Sequence, residues 1–151
     1  MDKVYTTESA DQTKKTASLF AKEVLDKGLS QKAVVVALKG NLGSGKTTFL
    51  QGFARELGVK EKILSPTFLI MKRFRIKKEP FNFLFHFDCY RLKKPEEIMD
   101  LGFGEIIQKE ENIVAIEWAE KIKNILPEDS LKIKFEFVDE NKRKISFKNG
   151  F

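Results

Sequence analysis

Cysteine and histidine each occur once in this chain of 151 residues, as Cys89 and His86. A single cysteine excludes an internal disulfide framework and an all-cysteine metal site, and a single histidine excludes multi-histidine zinc centres. No apolar run approaches the roughly 18 residues of a membrane span, and the opening residues Met1 to Tyr5 lack the apolar core of a signal peptide. A cytoplasmic protein with no membrane role is expected. Arginine is scarce too, limited to Arg55, Arg73, Arg75, Arg91 and Arg143. The formal net charge of +6 is therefore mostly mobile lysine charge, which favours anionic partners without supplying the forked donors of base readout. No DNA-reading role is expected.

What is present is an ordinary globular composition, with 42% apolar and 33% charged residues, at a length suited to one domain spanning residues 1–151. Strand-like and helix-like stretches alternate, as in an α/β protein. Glu8 to Lys27 carries Ala17, Phe20, Ala21, Val24 and Leu25 at helical spacing, and Gly28 ends it. Ala33 to Leu38 is an unbroken β-rich apolar run, the mark of a strand buried on both faces of a parallel sheet. A second helix carries Phe49, Leu50, Phe53, Ala54 and Leu57 before Gly58. Thr67 to Ile76 and Phe81 to Phe87 read as a hairpin with a basic tip at Lys77-Lys78-Glu79-Pro80. Pro95-Glu96-Glu97 starts a short helix that Gly102 ends. Ile113 to Ile116 is a second doubly buried strand, terminating in Glu117. Leu131 to Val138 and Lys144 to Phe147 alternate in polarity and predict a closing antiparallel hairpin. The fold class expected is α/β, a three-layer P-loop NTPase with a central, mostly parallel sheet extended by antiparallel hairpins.

The chemistry is concentrated in Gly40-Asn41-Leu42-Gly43-Ser44-Gly45-Lys46-Thr47, which matches G-x-x-x-x-G-K-[ST] between a buried strand and a helix. Glycines let the backbone wrap a polyphosphate with its N–H groups inward, and the following helix adds the positive end of its dipole. Lys46 is expected to reach the β and γ phosphates, the Thr47 hydroxyl to bind Mg²⁺, and Thr48 to donate to the α phosphate. Phosphoryl transfer also needs a carboxylate near the metal, and Asp88 and Glu117 both stand at the ends of extended segments. Glu117 follows four apolar residues as a Walker-B acid does, although aspartate is commoner there. Which acid holds the metal and which polarises the attacking water stays open. His86 reads as a packed residue on the hairpin strand.

The guanine-reading motifs of a GTPase are absent: Asp88-Cys89-Tyr90-Arg91 lacks the glycine of D-x-x-G, and Asn141-Lys142-Arg143-Lys144 lacks the aspartate of N-K-x-D. A small-molecule kinase, with its arginine-rich lid, and a nucleotide-dependent scaffold remain as alternatives. The basic segment Lys72 to Lys78 reads as a hairpin with a solvated outer face, or as a contact for tRNA or an acidic partner.

Taken in order, Gly40 to Thr48, Ser65-Pro66-Thr67-Phe68, His86-Phe87-Asp88-Cys89-Tyr90-Arg91-Leu92 and Ile116-Glu117-Trp118-Ala119-Glu120 resemble the TsaE (YjeE) family over nearly the whole chain. The resemblance implies an ATPase required for making threonylcarbamoyladenosine (t6A) in tRNA, hydrolysing ATP to reset a complex of the TsaD and TsaB subunits, with tRNA reached indirectly. It implies ATP and Mg²⁺ as cofactors, Thr47 and Glu117 as metal ligands, and Asp88 at the metal. It further implies a switch role for Thr67, roles in activity for Tyr90, Arg91 and Trp118, and a place near the nucleotide for Thr13. The family pattern has aspartate and alanine where this chain has Asn41 and Ser44, and loss of that acid bears on the hydrolysis rate. No cis arginine finger is assignable beyond Arg91, so a slow enzyme when alone is expected, since such a finger supplies about 10³ to 10⁵ in rate.

Overall fold

The computed structural model describes residues 3–64 and 70–148. In chain order these form β1 (Lys3–Thr7), α1 (Ala10–Lys27), β2 (Val34–Lys39), α2 (Lys46–Glu56), β3 (Met71–Arg75), β4 (Phe83–Asp88) and a 3-10 helix (Pro95–Leu101). There follow α3 (Phe103–Gln108), β5 (Asn112–Glu117), a second 3-10 helix (Ala119–Ile122), β6 (Leu131–Phe137) and β7 (Arg143–Lys148). The strands make one sheet in the order β1-β7-β6-β2-β5-β4-β3. Its centre is parallel, with β2 between β5 and β6 and with β4 beside β5. Antiparallel pairings of β1 with β7, β7 with β6 and β3 with β4 widen it on both sides. This is the α/β architecture expected, and β4 and β6, read from sequence only as hairpin members, also belong to the parallel centre.

Strand side chains alternate between two apolar layers. Val36 and Leu38 of β2, with Ile113 and Ala115 of β5 and Leu84 of β4, pack under α1 and α2. Val35, Ala37, Val114, Ile116, Phe85 and Phe87 point to the opposite face, beneath α3 and the two 3-10 helices. Both faces of the central strands are covered, which is why their sequences are nearly continuous in apolar residues.

Helix α1 starts where the Ser9 side chain accepts the Gln12 N–H at 3.1 Å, so it begins two residues after Glu8. It stops at Gly28, whose N–H bonds the Val24 carbonyl. Its inner face brings Phe20 into stacked contact with Phe53 at 5.4 Å and near Phe49 and Phe147. These aromatic rings join the α1–α2 pair to the closing hairpin. Three elements were not anticipated. Strand β1 comes from Val4-Tyr5-Thr6-Thr7, a β-favouring run that is exposed along most of its length. Helix α3 and the second 3-10 helix are too short for a helical period to declare itself. The Pro95 helix is 3-10 throughout and ends at Gly102, as the proline and glycine implied. The part of the expected first hairpin strand at Thr67 to Leu69 lies outside the described residues.

At Gly52, helix α2 lies against the backbone of α1. A Cβ there would lie 2.6 Å from the Lys14 carbonyl oxygen and 2.7 Å from Lys14 Cα, both backbone atoms that cannot swing away. Gly52→Ala is therefore expected to destabilise the protein by about 1–3 kcal/mol, outweighing the helix preference of alanine, worth about 1 kcal/mol. Urea unfolding reads this as a lower midpoint; a midpoint equal to wild type would show that the helices separate without cost.

Candidate functional site

Leaving β2, the chain turns through residues 40–45 and re-enters regular structure as α2 at Lys46. Gly43 and Gly45 carry φ of 76° and 104°, a left-handed backbone that side chains seldom adopt, and so the turn can close with its amides inward. Gly45 caps α2 with no side-chain bond, which leaves the first-turn N–H groups without a partner from a capping residue. A cavity of about 670 Å³, within the range of small-molecule sites, opens against residues 41–48.

Lys46 is buried at 5% exposure, its ammonium bonded to the Gly40 carbonyl and 3.8 Å from the centre of the Trp118 ring. Burial pushes its pKa down, and the charges of Glu117, Glu120 and Asp88 oppose that shift. Asp88 and Glu117 are directly paired across β4 and β5 and point to the same face as the loop. Glu117 is 2% exposed; its Oε1 faces the Thr47 hydroxyl at 3.5 Å and its Oε2 lies 2.7 Å from His86 Nε2. The Asp88 carboxyl titrates above the usual carboxylate range, chiefly because it is half buried and further because of the Glu117 charge, although it accepts the Tyr90 N–H at 3.0 Å. Burial pushes the neighbouring Cys89 thiol up to about 12, which favours its protonated form at neutral pH.

Trp118 follows Glu117 in a left-handed conformation, φ 56°, the one non-glycine positive φ among the described residues. That turn lays its ring over Lys46 and 5.0 Å from the Tyr90 ring. Thr13 sits in the opposite wall, where its hydroxyl bonds that of Thr7 at 2.7 Å and ties the first turn of α1 to the end of β1.

The structure thus brings together Thr13, Asn41 to Thr48, Asp88, Tyr90, Arg91, Glu117 and Trp118 around one cavity. Gly40 contributes its carbonyl to Lys46 rather than a surface to the cavity. Thr67 lies outside the described residues. The basic segment of β3 and its turn does not line the cavity; Arg73 there lies 4.7 Å over the Phe83 ring on the sheet edge. Sequence reasoning missed Ser9 and Ala10, Ile70, and the trio Glu140, Asn141 and Arg143. Arg143 donates to the carbonyls of Asp139 and Lys142 in its own turn, and its stem passes 3.5 Å from where a Cβ on Gly45 would be. No local motif marks these residues, because only the sheet order carries them to the loop.

Among the described residues no three His, Cys, Asp or Glu side chains are grouped to hold a metal ion on their own. The donors at hand are the Thr47 hydroxyl and the Glu117 carboxylate, with Asp88 beside them. Such a set fits Mg²⁺, which keeps several waters and is shared between one or two protein oxygens and substrate phosphates.

Comparison with known proteins identifies relatives of this chain. Residues 7–145 match the family model described as "Threonylcarbamoyl adenosine biosynthesis protein TsaE". Proteins described as "tRNA threonylcarbamoyladenosine biosynthesis protein TsaE" are similar: that of Rickettsia typhi is 36% identical, over 96% of this chain and 94% of its own length. That of Bacillus subtilis is 35% identical, over 93% of this chain and 82% of its own. The crystal structure of YdiB from Bacillus subtilis superposes with a TM-score of 0.72 at 30% identity, covering 97% of this chain and 84% of that one.

The raised pKa of Asp88 has a consequence for stability. The folded chain holds this proton more tightly than the unfolded chain, so stability falls as pH rises from the ordinary value of 3.8 through the folded one. Asp88→Asn keeps the acceptor for Tyr90 and removes the charge. Thermal melts are expected to show the variant more stable than wild type at pH 7, with the gap closing toward pH 3.8. A gap independent of pH would assign the effect to something other than the carboxylate.

Proposed function

The chain belongs to the TsaE family of threonylcarbamoyladenosine biosynthesis proteins, and from that membership and the loop geometry we propose that it is a Mg²⁺-dependent ATPase serving t6A formation in tRNA. The observation that carries the proposal is the convergence of the buried Lys46 ammonium, the Thr47 hydroxyl and the Glu117 carboxylate at the mouth of a loop whose helix has an uncapped N-terminus. The loop amides and Lys46 bind the triphosphate as fixed donors that need no rearrangement during reaction. Thr47 and Glu117 would hold Mg²⁺, which when bound would supply positive charge to the β and γ phosphates.

Charge balance supports a cation in this place. Lys46 faces Glu117, Glu120 and Asp88, a local group of acids beside the loop that a divalent cation would offset, while Arg91 and Arg143 also line the cavity. Asp88, whose burial favours its neutral form, is suited to orient a water or to take up a proton as the attacking water loses one. Trp118 and Tyr90 shield the Lys46 side of the cavity from solvent.

Partner coupling is proposed through the segment after β4, where Tyr90 is 45% exposed beside the cavity and Arg91 follows. Order gained there from γ-phosphate contacts would be lost on hydrolysis and would change the surface offered to TsaB and TsaD, resetting their complex.

Calorimetry with ATP and Mg²⁺ tests the binding half. Lys46→Ala is expected to weaken ATP by about 10- to 150-fold, the worth of a hydrogen bond to a charged group. Unchanged affinity would overturn the loop assignment. With TsaB and TsaD present, Asp88→Asn should bind ATP yet release phosphate slower by about 10² to 10⁴. Wild type that binds ATP but releases no phosphate with any partner would make the protein a nucleotide-dependent scaffold instead.

A further inference from the structure

We propose that His86 is a positioning residue for this site: its Nε2–H anchors one oxygen of Glu117 and so holds the other toward Thr47 and the metal. The inference rests on the reading of Glu117 as the metal-facing acid, and it concerns a residue that sequence alone gives only a packing role.

Three observations carry it. His86 is 1% exposed, in the middle of β4, with its Nε2 2.7 Å from Glu117 Oε2. Its Nδ1 is buried with no hydrogen-bond partner among the described residues. A neutral imidazole carries one ring proton, and an unpartnered N–H would leave a buried donor unsatisfied, so the proton belongs on Nε2, where Glu117 accepts it. Among the described residues, the bond to Glu117 is then the only polar function left to the ring. Neighbouring positions on β4 hold Leu84, Phe85 and Phe87, so an apolar side chain would have sufficed for packing.

The register explains why the anchor is needed and why it is a histidine. Glu117 is opposite Asp88, while His86 is opposite Ala115, one pair back on the same face. Glutamate carries one more rotatable bond than the aspartate usual at a Walker-B position, and without a second tether its carboxylate would sweep between Thr47 and Lys46. A ring reaching diagonally from His86 closes off that freedom. With Oε2 engaged by His86, Oε1 is the oxygen that faces Thr47, at 3.5 Å, and would be the one offered to a metal there. Partners of this kind orient metal ligands, and their loss costs about 10- to 100-fold in metal affinity.

The test measures ATP binding by calorimetry, first in EDTA and then against rising Mg²⁺. His86→Leu is expected to bind ATP in EDTA as wild type does, while the Mg²⁺ needed for half of the metal-dependent gain rises about 10- to 100-fold. His86→Gln, whose amide nitrogen takes the place of Nε2, should return that requirement to near wild type. His86→Asn, whose amide takes the place of Nδ1, should not. A wild-type Mg²⁺ requirement in His86→Leu overturns the proposal, as does an equal rise in the Gln and Asn variants, which would reduce His86 to packing. If His86→Leu does not fold, the Gln and Asn pair decides alone. Wild type that binds ATP without any gain from Mg²⁺ overturns the metal reading and this inference with it, a result distinct from the others.

Discussion

Strand direction is the constraint from which the rest follows. Strands β6, β2, β5 and β4 run parallel, and β1, antiparallel to a strand that is itself antiparallel to β6, points the same way. Every segment that leaves one of these five strands therefore emerges at one edge of the sheet. The cavity is assembled from those exits: Ser9 and Thr13 after β1, the glycine-rich loop after β2, Tyr90 after β4, Trp118 after β5, and Glu140 and Asn141 after β6. The two strands that run the other way begin at that edge, and they supply Ile70 and Arg143. Ligand sites of open α/β sheets lie outside the carboxyl ends of the strands for this reason.

The same edge is where the structure tolerates what it avoids elsewhere. An ammonium and a carboxylate are buried, a tryptophan takes a left-handed backbone, and α2 starts without a side-chain cap. The Ser44 hydroxyl is buried in the loop with no partner among the described residues, at a position where the family pattern has alanine, and an unsatisfied hydroxyl costs about 1–3 kcal/mol. The two large apolar layers on either side of the sheet offset these costs, and the Phe20, Phe49, Phe53 and Phe147 cluster sits directly beneath the first turns of α2.

How much of this was readable from sequence depended on whether the signal was local. The loop at Gly40 to Thr47 is a contiguous motif whose flanking strand and helix both declare their periods, and it folds as read. Glu117 and Asp88 were readable as strand-terminal acids, but their mutual pairing and common face follow from the parallel register, which no local pattern encodes. His86 looked like core because its partner lies 31 residues away, on another strand. Arg143 and the turn before it carry no motif at all, and they reach the loop only because β6 is the neighbour of β2. Strand β1 was missed because an edge strand exposed on both sides shows no alternation of polarity.

The arginines of the cavity bear on why an ATPase built this way would depend on its partners. Arg143 bonds the carbonyls of its own turn and lies 4.7 Å over the Phe137 ring, so its guanidinium is engaged by the hairpin rather than by the acids. Arg91 stands on the exposed segment beside Tyr90, on the side of the cavity away from α1 and the closing hairpin. The loop itself carries Asn41 where the family pattern has an acid, which removes one group that could fix a water at the γ phosphate. On the proposed reading, the donors for a triphosphate are thus built into rigid elements, whereas those that would complete its cleavage rest on a surface segment. Under the same reading, a site divided in this way would bind a triphosphate before it could cleave it, and a partner that contacts that segment would set the rate of hydrolysis.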